Sequence, residues 1–147
     1  MRCEWTIDAE DPEEVKAELA YHLNGLAQRN RNILSRERFP RLYQSGVRYD
    51  LADDIAYVQR LLNCRQVLAE RSACCKSLCA WRVGELRNDA ANEHEASLVD
   101  FLIEHEEFDH DPLGVGLQPR NGLVRLYHVN VVKADGSVEN PSRRLRR

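Results

Sequence analysis

No apolar run in this chain approaches the length of a membrane span, and its opening residues, Met1 to Glu14, are acidic rather than signal-like. The expectation is a protein made and used inside a cell, or packaged from there. Lysine is scarce, with eighteen arginines against three lysines. That bias suits bidentate ion pairing, although codon composition produces it equally well. There is no internal repeat and no low-complexity segment. No H-E-x-x-H or EF-hand spacing occurs, and adjacent Cys74-Cys75 followed by Cys79 does not match the paired ligands of a zinc site. No metal, cofactor, membrane or nucleic-acid partner is therefore expected, the last because no basic face is tied to a recognisable binding fold. Five cysteines, an odd number without a secretion signal, argue against a disulfide framework. A bridge between molecules through Cys3, Cys64 or Cys74 stays open.

What is present fits one domain over residues 1–147, long enough to bury a single working core. The formal net charge of −3 hides an uneven distribution. Eight carboxylates and no lysine or arginine lie between Glu93 and Asp111, whereas the last five residues hold Arg143, Arg144, Arg146 and Arg147. A solvated acidic segment, with His94, His105 and His110 in it, and a mobile basic tail over 143–147 are expected.

The pattern along the chain changes from helical to extended. Residues 3–8 read as a short strand. Asp11-Pro12-Glu13-Glu14 then has the chemistry of a helix start, and Val15, Leu19, Leu23 and Leu26 form one apolar stripe until Phe39-Pro40 breaks it. Gln44-Ser45-Gly46 marks a turn into the extended piece Val47-Arg48-Tyr49. A second helix is expected from Asp53 to Leu62, with Ile55, Val58, Leu61 and Leu62 inward, and a short helix or turn through Gln66–Glu70. Another helix opens at Cys75 and ends near Asn88, with Cys75, Leu78, Cys79, Arg82 and Leu86 on one face. Residues 98–103 are strand formers, 109–122 a long Gly/Pro loop, and Leu123 to Lys133 the clearest strand. Asp135-Gly136 turns into Ser137-Val138-Glu139. Helices first and strands afterwards predict an α+β fold with a C-terminal antiparallel sheet.

One constellation could carry chemistry. A thiol at a helix N-terminus is favoured as thiolate, which makes Cys75 a candidate nucleophile; the competing reading is a buried structural cysteine. His128, on the best strand, could hold the ion pair, and Asn140 could orient the imidazole. If the hairpin loop is Ala134-Asp135-Gly136, Asn140 falls opposite Asn130 and becomes the diagonal neighbour of His128, about 7–8 Å away. A two-residue loop would put Asn140 opposite Val131 and turn it to the other face.

Three segments resemble a known family. Ala73-Cys74-Cys75-Lys76-Ser77-Leu78-Cys79-Ala80-Trp81-Arg82, continuing to Glu85-Leu86-Arg87, is similar to the Gly-Asp-Cys-Glu-Asp-Leu-Ala-Ala-Trp-Arg…Glu-Leu-Arg segment of transglutaminase-like proteins of tailed phages and prophages. Tyr127-His128-Val129, Asp135-Gly136 and Glu139-Asn140-Pro141-Ser142 resemble that family's Tyr-His-Val…Asp-Gly…Glu-Asp-Pro-Ser ending. Pro40 to Tyr49 (PRLYQSGVRY) is similar to a segment upstream of the cysteine. Order and spacing agree over residues 40–142, leaving 1–39 as an N-terminal strand and helix. The resemblance implies a cysteine-protease-like fold in which Cys75, His128 and Asn140 are the catalytic residues of thiol acyl transfer, an amidase or peptidase acting on a protein or peptide. It also implies a virion or host-cytoplasm setting with other neck, tail or capsid proteins as partners. The alternative is an inactive structural virion protein that reuses the fold as an assembly module. The chain departs from the family at Ala73-Cys74 (usually Gly-Asp), at Lys76-Ser77 (usually an acidic pair) and at Asn140 (usually Asp).

Overall fold

A computed structural model describes residues 11–51, 60–114 and 116–146. The expected strand over 3–8 and most of the expected helix over 53–62 lie outside them. Helix α1 (Pro12–Arg36) starts where its sequence chemistry places it. Asp11 is the N-cap, its side chain accepting the Glu13 N–H at 3.0 Å, and Pro12 takes the first helical position, where no N–H is needed. The buried face is Leu19, Leu23, Ala27, Asn30 and Ile33, running to about residue 34 as the stripe predicts. A 3₁₀ turn (Leu42–Gln44) and strand β1 (Arg48–Tyr49) follow.

Residues 60–63 are not helical, contrary to the expected helix end at Leu62. The reason is a capping box that starts a new helix. Asn63 accepts from the Gln66 N–H at 3.0 Å, and the Gln66 side chain accepts from the Asn63 N–H at 2.9 Å. Helix α2 (Cys64–Glu70) ends on Arg71 in the left-handed conformation, φ 64°. Strand β2 (Ser72–Ala73) pairs in parallel with β1. Helix α3 (Cys75–Asp89) then begins at the predicted residue, and helix α4 (Glu93–Leu98) is capped by Asn92.

The antiparallel sheet has the order β3-β4-β5, from β3 (Asp100–Phe108), β4 (Val124–Val132) and β5 (Val138–Glu139). A last turn of helix, α5 (Pro141–Arg144), follows. Helix α3 is buried nearly all round, as a helix with apolar neighbours on every side must be. One side meets α1 and the sheet, in a cluster of Leu19, Leu23, Ala27, Cys75, Cys79, Val83, Val129 and Val131. Its other side meets Leu42, Val47, Leu62, Val67 and Ala73 through Leu78 and Trp81. The architecture is α+β, with N-terminal helices and a C-terminal antiparallel sheet. Among the described residues no helix is long and apolar enough to cross a membrane.

Candidate functional site

Cys75 is the first residue of α3, with Cys74 as its N-cap. The entire first turn is covered: Cys74, Cys75 and Ser77 are 0% exposed and Lys76 5%. The cover comes from the chain before α2. The Leu62 N–H donates to Ser77 Oγ at 3.0 Å, Ser77 Oγ donates to the Arg60 carbonyl at 3.3 Å, and the Cys74 thiol reaches the same carbonyl at 3.7 Å. Cys74 and Ser77 are two of the positions at which the sequence departs from the phage pattern, and both hold segment 60–62 over the helix start. On its other side Cys75 belongs to the core formed with Leu19, Leu23 and Ala27 of α1 and Val129 and Val131 of β4. Cys79, one turn on, donates its thiol to the Val129 carbonyl at 3.2 Å.

Strand alternation decides where His128 goes. Val129 and Val131 face α3, so His128 and Asn130 face the other way. His128 is exposed, across from Glu104 of β3. Cys75 and His128 therefore sit on opposite faces of β4. The hairpin has the three-residue loop, with Gly136 at φ 85° and the pairs Val131↔Glu139 and Val132↔Val138. The ladder ends at Glu139, and Asn140 is the first residue past it. Its carboxamide oxygen accepts the Arg143 N–H at 3.1 Å and the Ser142 hydroxyl at 2.7 Å, making it the N-cap of α5. The structure thus leaves Cys75 and His128 on opposite faces of the sheet and places Asn140 at the start of α5. A pocket of about 370 Å³ lined by Phe39, Arg41, Glu85 and Asp89 lies at the other end of α3, roughly 20 Å from Cys75 at 1.5 Å per helical residue.

Residues from the three quoted segments meet elsewhere, in a part-buried charge network around the buried Glu85. Glu85, 2% exposed, accepts from the Leu42 N–H at 2.8 Å, from Trp81 Nε1 at 3.2 Å and from an Arg82 guanidinium nitrogen at 3.1 Å. Arg82 also forks onto Glu139, Nε to Oε2 at 2.7 Å and the second nitrogen to Oε1 at 3.0 Å. The Tyr43 hydroxyl donates to the same Glu139 oxygen at 2.7 Å, and Arg144 stands 3.9 Å above the Tyr43 ring. Burial opposes the Glu139 charge, but the hydrogen bonds from Arg82 and Tyr43 win and hold its carboxyl below the ordinary range. Burial, and then the neighbouring carboxylate, push the Tyr43 phenol well above its usual value. Burial also works against the Arg82 cation, yet Glu139 and Glu85 keep it firmly charged.

Leu42 and Tyr43 come from the Pro40–Tyr49 segment, Trp81, Arg82 and Glu85 from the cysteine segment, and Glu139 from the last motif. The sequence reading treated them as markers of kinship and missed that they bind one another. A signal was present at Arg82 and Glu85, charged residues on a helix rich in apolar ones, since a charge drawn into the interior is kept only with a partner. Among the described residues no group of three or more metal-ligating side chains comes together. Comparison with family models, with curated proteins and with solved structures returned no match.

Proposed function

We propose that this chain is an assembly module of a phage particle, a neck, tail or capsid component that keeps the layout of transglutaminase-like proteins without acyl-transfer chemistry. One observation carries the reading: Cys75 is 0% exposed beneath α1 and segment 60–62, with the imidazole that would activate it on the far face of β4. Thiol acyl transfer needs the sulfur open to a carbonyl and a base within hydrogen-bond reach, about 3 Å. Cys75 fails the first condition, and His128 stands on the wrong face of β4 to meet the second. The network of Arg82, Glu85, Glu139 and Tyr43 supports the same reading, because it spends the shared motifs on holding elements together. The phage setting, and with it other virion proteins as partners and a virion or host-cytoplasm location, rests on the resemblance.

The test is alkylation of Cys75 across pH, read by peptide mass spectrometry, in the parent and in His128→Ala. The expected outcome is no labelling of Cys75 in the folded protein, rapid labelling after denaturation, and no effect of the substitution. Fast labelling well below the ordinary thiol pKa of about 8.5, abolished by His128→Ala, would restore the catalytic reading.

A further inference from the structure

Two surfaces of opposite charge remain after the core and the part-buried network are accounted for, and they lie toward opposite edges of the sheet. The first is the outer face of β3, the edge strand of the order β3-β4-β5. Asp100, Glu104 and Glu106 share that face by strand alternation and are all exposed. Glu104 and Glu106 have no ion pair among the described residues, whereas Glu107, on the opposite face, is held by Arg125 at 2.9 Å. Half-buried Leu102 and Leu126 lie between them. The helices α1 and α3 cover only the inner face, where Val129 and Val131 point.

The second surface lies beyond β5, at the other edge. Helix α5 docks on β1 through the Tyr49 N–H to the Leu145 carbonyl at 3.3 Å, and the Arg48 N–H bonds the Arg71 carbonyl at 3.0 Å. These bonds gather Arg48, Arg71, Arg143 and Arg146, all exposed. None of the four has an acidic side chain within ion-pair distance among the described residues. Among the described residues no ion pair joins the acidic and basic surfaces.

We propose that the occupant of each surface is a second copy of this chain: the arginine surface around α5 of one molecule seats on the outer face of β3 of the next. Charge complementarity selects this partner. The chain carries both halves of the contact, in arrays that cannot satisfy each other internally, while its net charge of −3 opposes capture of a separate polyanion. Because the contact joins two different surfaces it is heterologous, the kind that builds rings or filaments. Among the described strands β3 is an edge, and its three acidic side chains fit a strand that must avoid pairing with other sheets while docking by charge. This deepens the assembly reading by naming the partner and the surface.

The experiment is sedimentation velocity of the full chain against concentration at about 50 mM and about 500 mM salt, where screening lengths differ several-fold. The expected result is a mass above the 17.0 kDa monomer at low salt that falls back to it at high salt. Glu104→Arg with Glu106→Arg, and separately Arg143→Glu with Arg146→Glu, should each remain at 17.0 kDa. An equimolar mixture of the two double variants should assemble, since each then presents the charge that the other lacks. All four positions are exposed, and circular dichroism checks that each variant is folded. A parent that stays monomeric at low salt, variants that assemble as the parent does, a mixture that stays monomeric, or retention of a DNA oligonucleotide by monomeric parent would each overturn the proposal. Labelling of Cys75 on the same samples reports the assembly reading separately, so either idea can fail alone.

Discussion

Gly84 and Gly25 carry the same side chain, both inside helices, and the packing around them gives opposite expectations. A Cβ at Gly84 would lie 3.0 Å from the Arg31 backbone nitrogen, 3.0 Å from Asn30 Cβ and 3.2 Å from the Ala27 carbonyl oxygen. These are backbone and Cβ atoms of α1, which cannot move aside singly, so α1 as a whole would have to shift. Gly84→Ala should therefore destabilise by roughly 1–3 kcal/mol, outweighing the helix-propensity gain of about 1 kcal/mol. At Gly25 nothing lies within 4 Å, and Gly25→Ala should stabilise by about 0.5–1 kcal/mol. Denaturant midpoints of the two variants check both signs. A reader of the sequence sees two helical glycines and has no means of separating them.

At the scale of the element, capping chemistry explains most of the boundaries. Asp11, Asn63, Asn92 and Asn140 each accept a backbone N–H at the start of a helix. The first was legible because Pro12 and the acidic first turn reinforce it. Asn63 is harder to see, because Leu61 and Leu62 carry an apolar pattern up to the residue before it. Asn140 was read as an orienting group when its carboxamide oxygen is committed to α5. Asn140→Asp should keep the cap, whereas Asn140→Ala should lower stability by about 1 kcal/mol. Chemical denaturation measures both. Equal stability of the Ala variant and the parent would remove the capping role.

For the whole molecule, the pair Arg82–Glu139 ties the last strand to the central helix, and Tyr43 and Glu85 extend the tie to the segment after α1. Its pH dependence has a definite sign. The Glu139 carboxyl is depressed in the folded state. Its contribution is therefore complete above the unfolded carboxyl value of about 4.3 and is lost as pH falls through the lower folded value. Glu139→Gln should weaken the fold by about 2 kcal/mol at neutral pH, since Arg82 loses its two-pronged carboxylate partner and keeps Glu85. The variant should also lose less stability than the parent on acidification. Urea titrations at neutral pH and near pH 3 test this, and parallel acid curves for parent and variant would argue against the pair.

The α+β order, the start of α1, the opening of α3 at Cys75 and the β4 strand could all be read from the chain, because each depends on residues close in sequence: caps, proline and periodicity. The chain allows a two- or a three-residue hairpin loop, and the structure has three. What tertiary structure alone decided was which face of β4 meets α3. Strand alternation makes His128 and Val129 opposites, but only the packing of α1 and α3 on the valine face turns the histidine outward and buries the cysteine. In the same way the charged residues of three distant motifs became one network because burial leaves an ion no option but a partner. Local chemistry sets where elements begin and end; the contest for a limited interior sets which side chains meet.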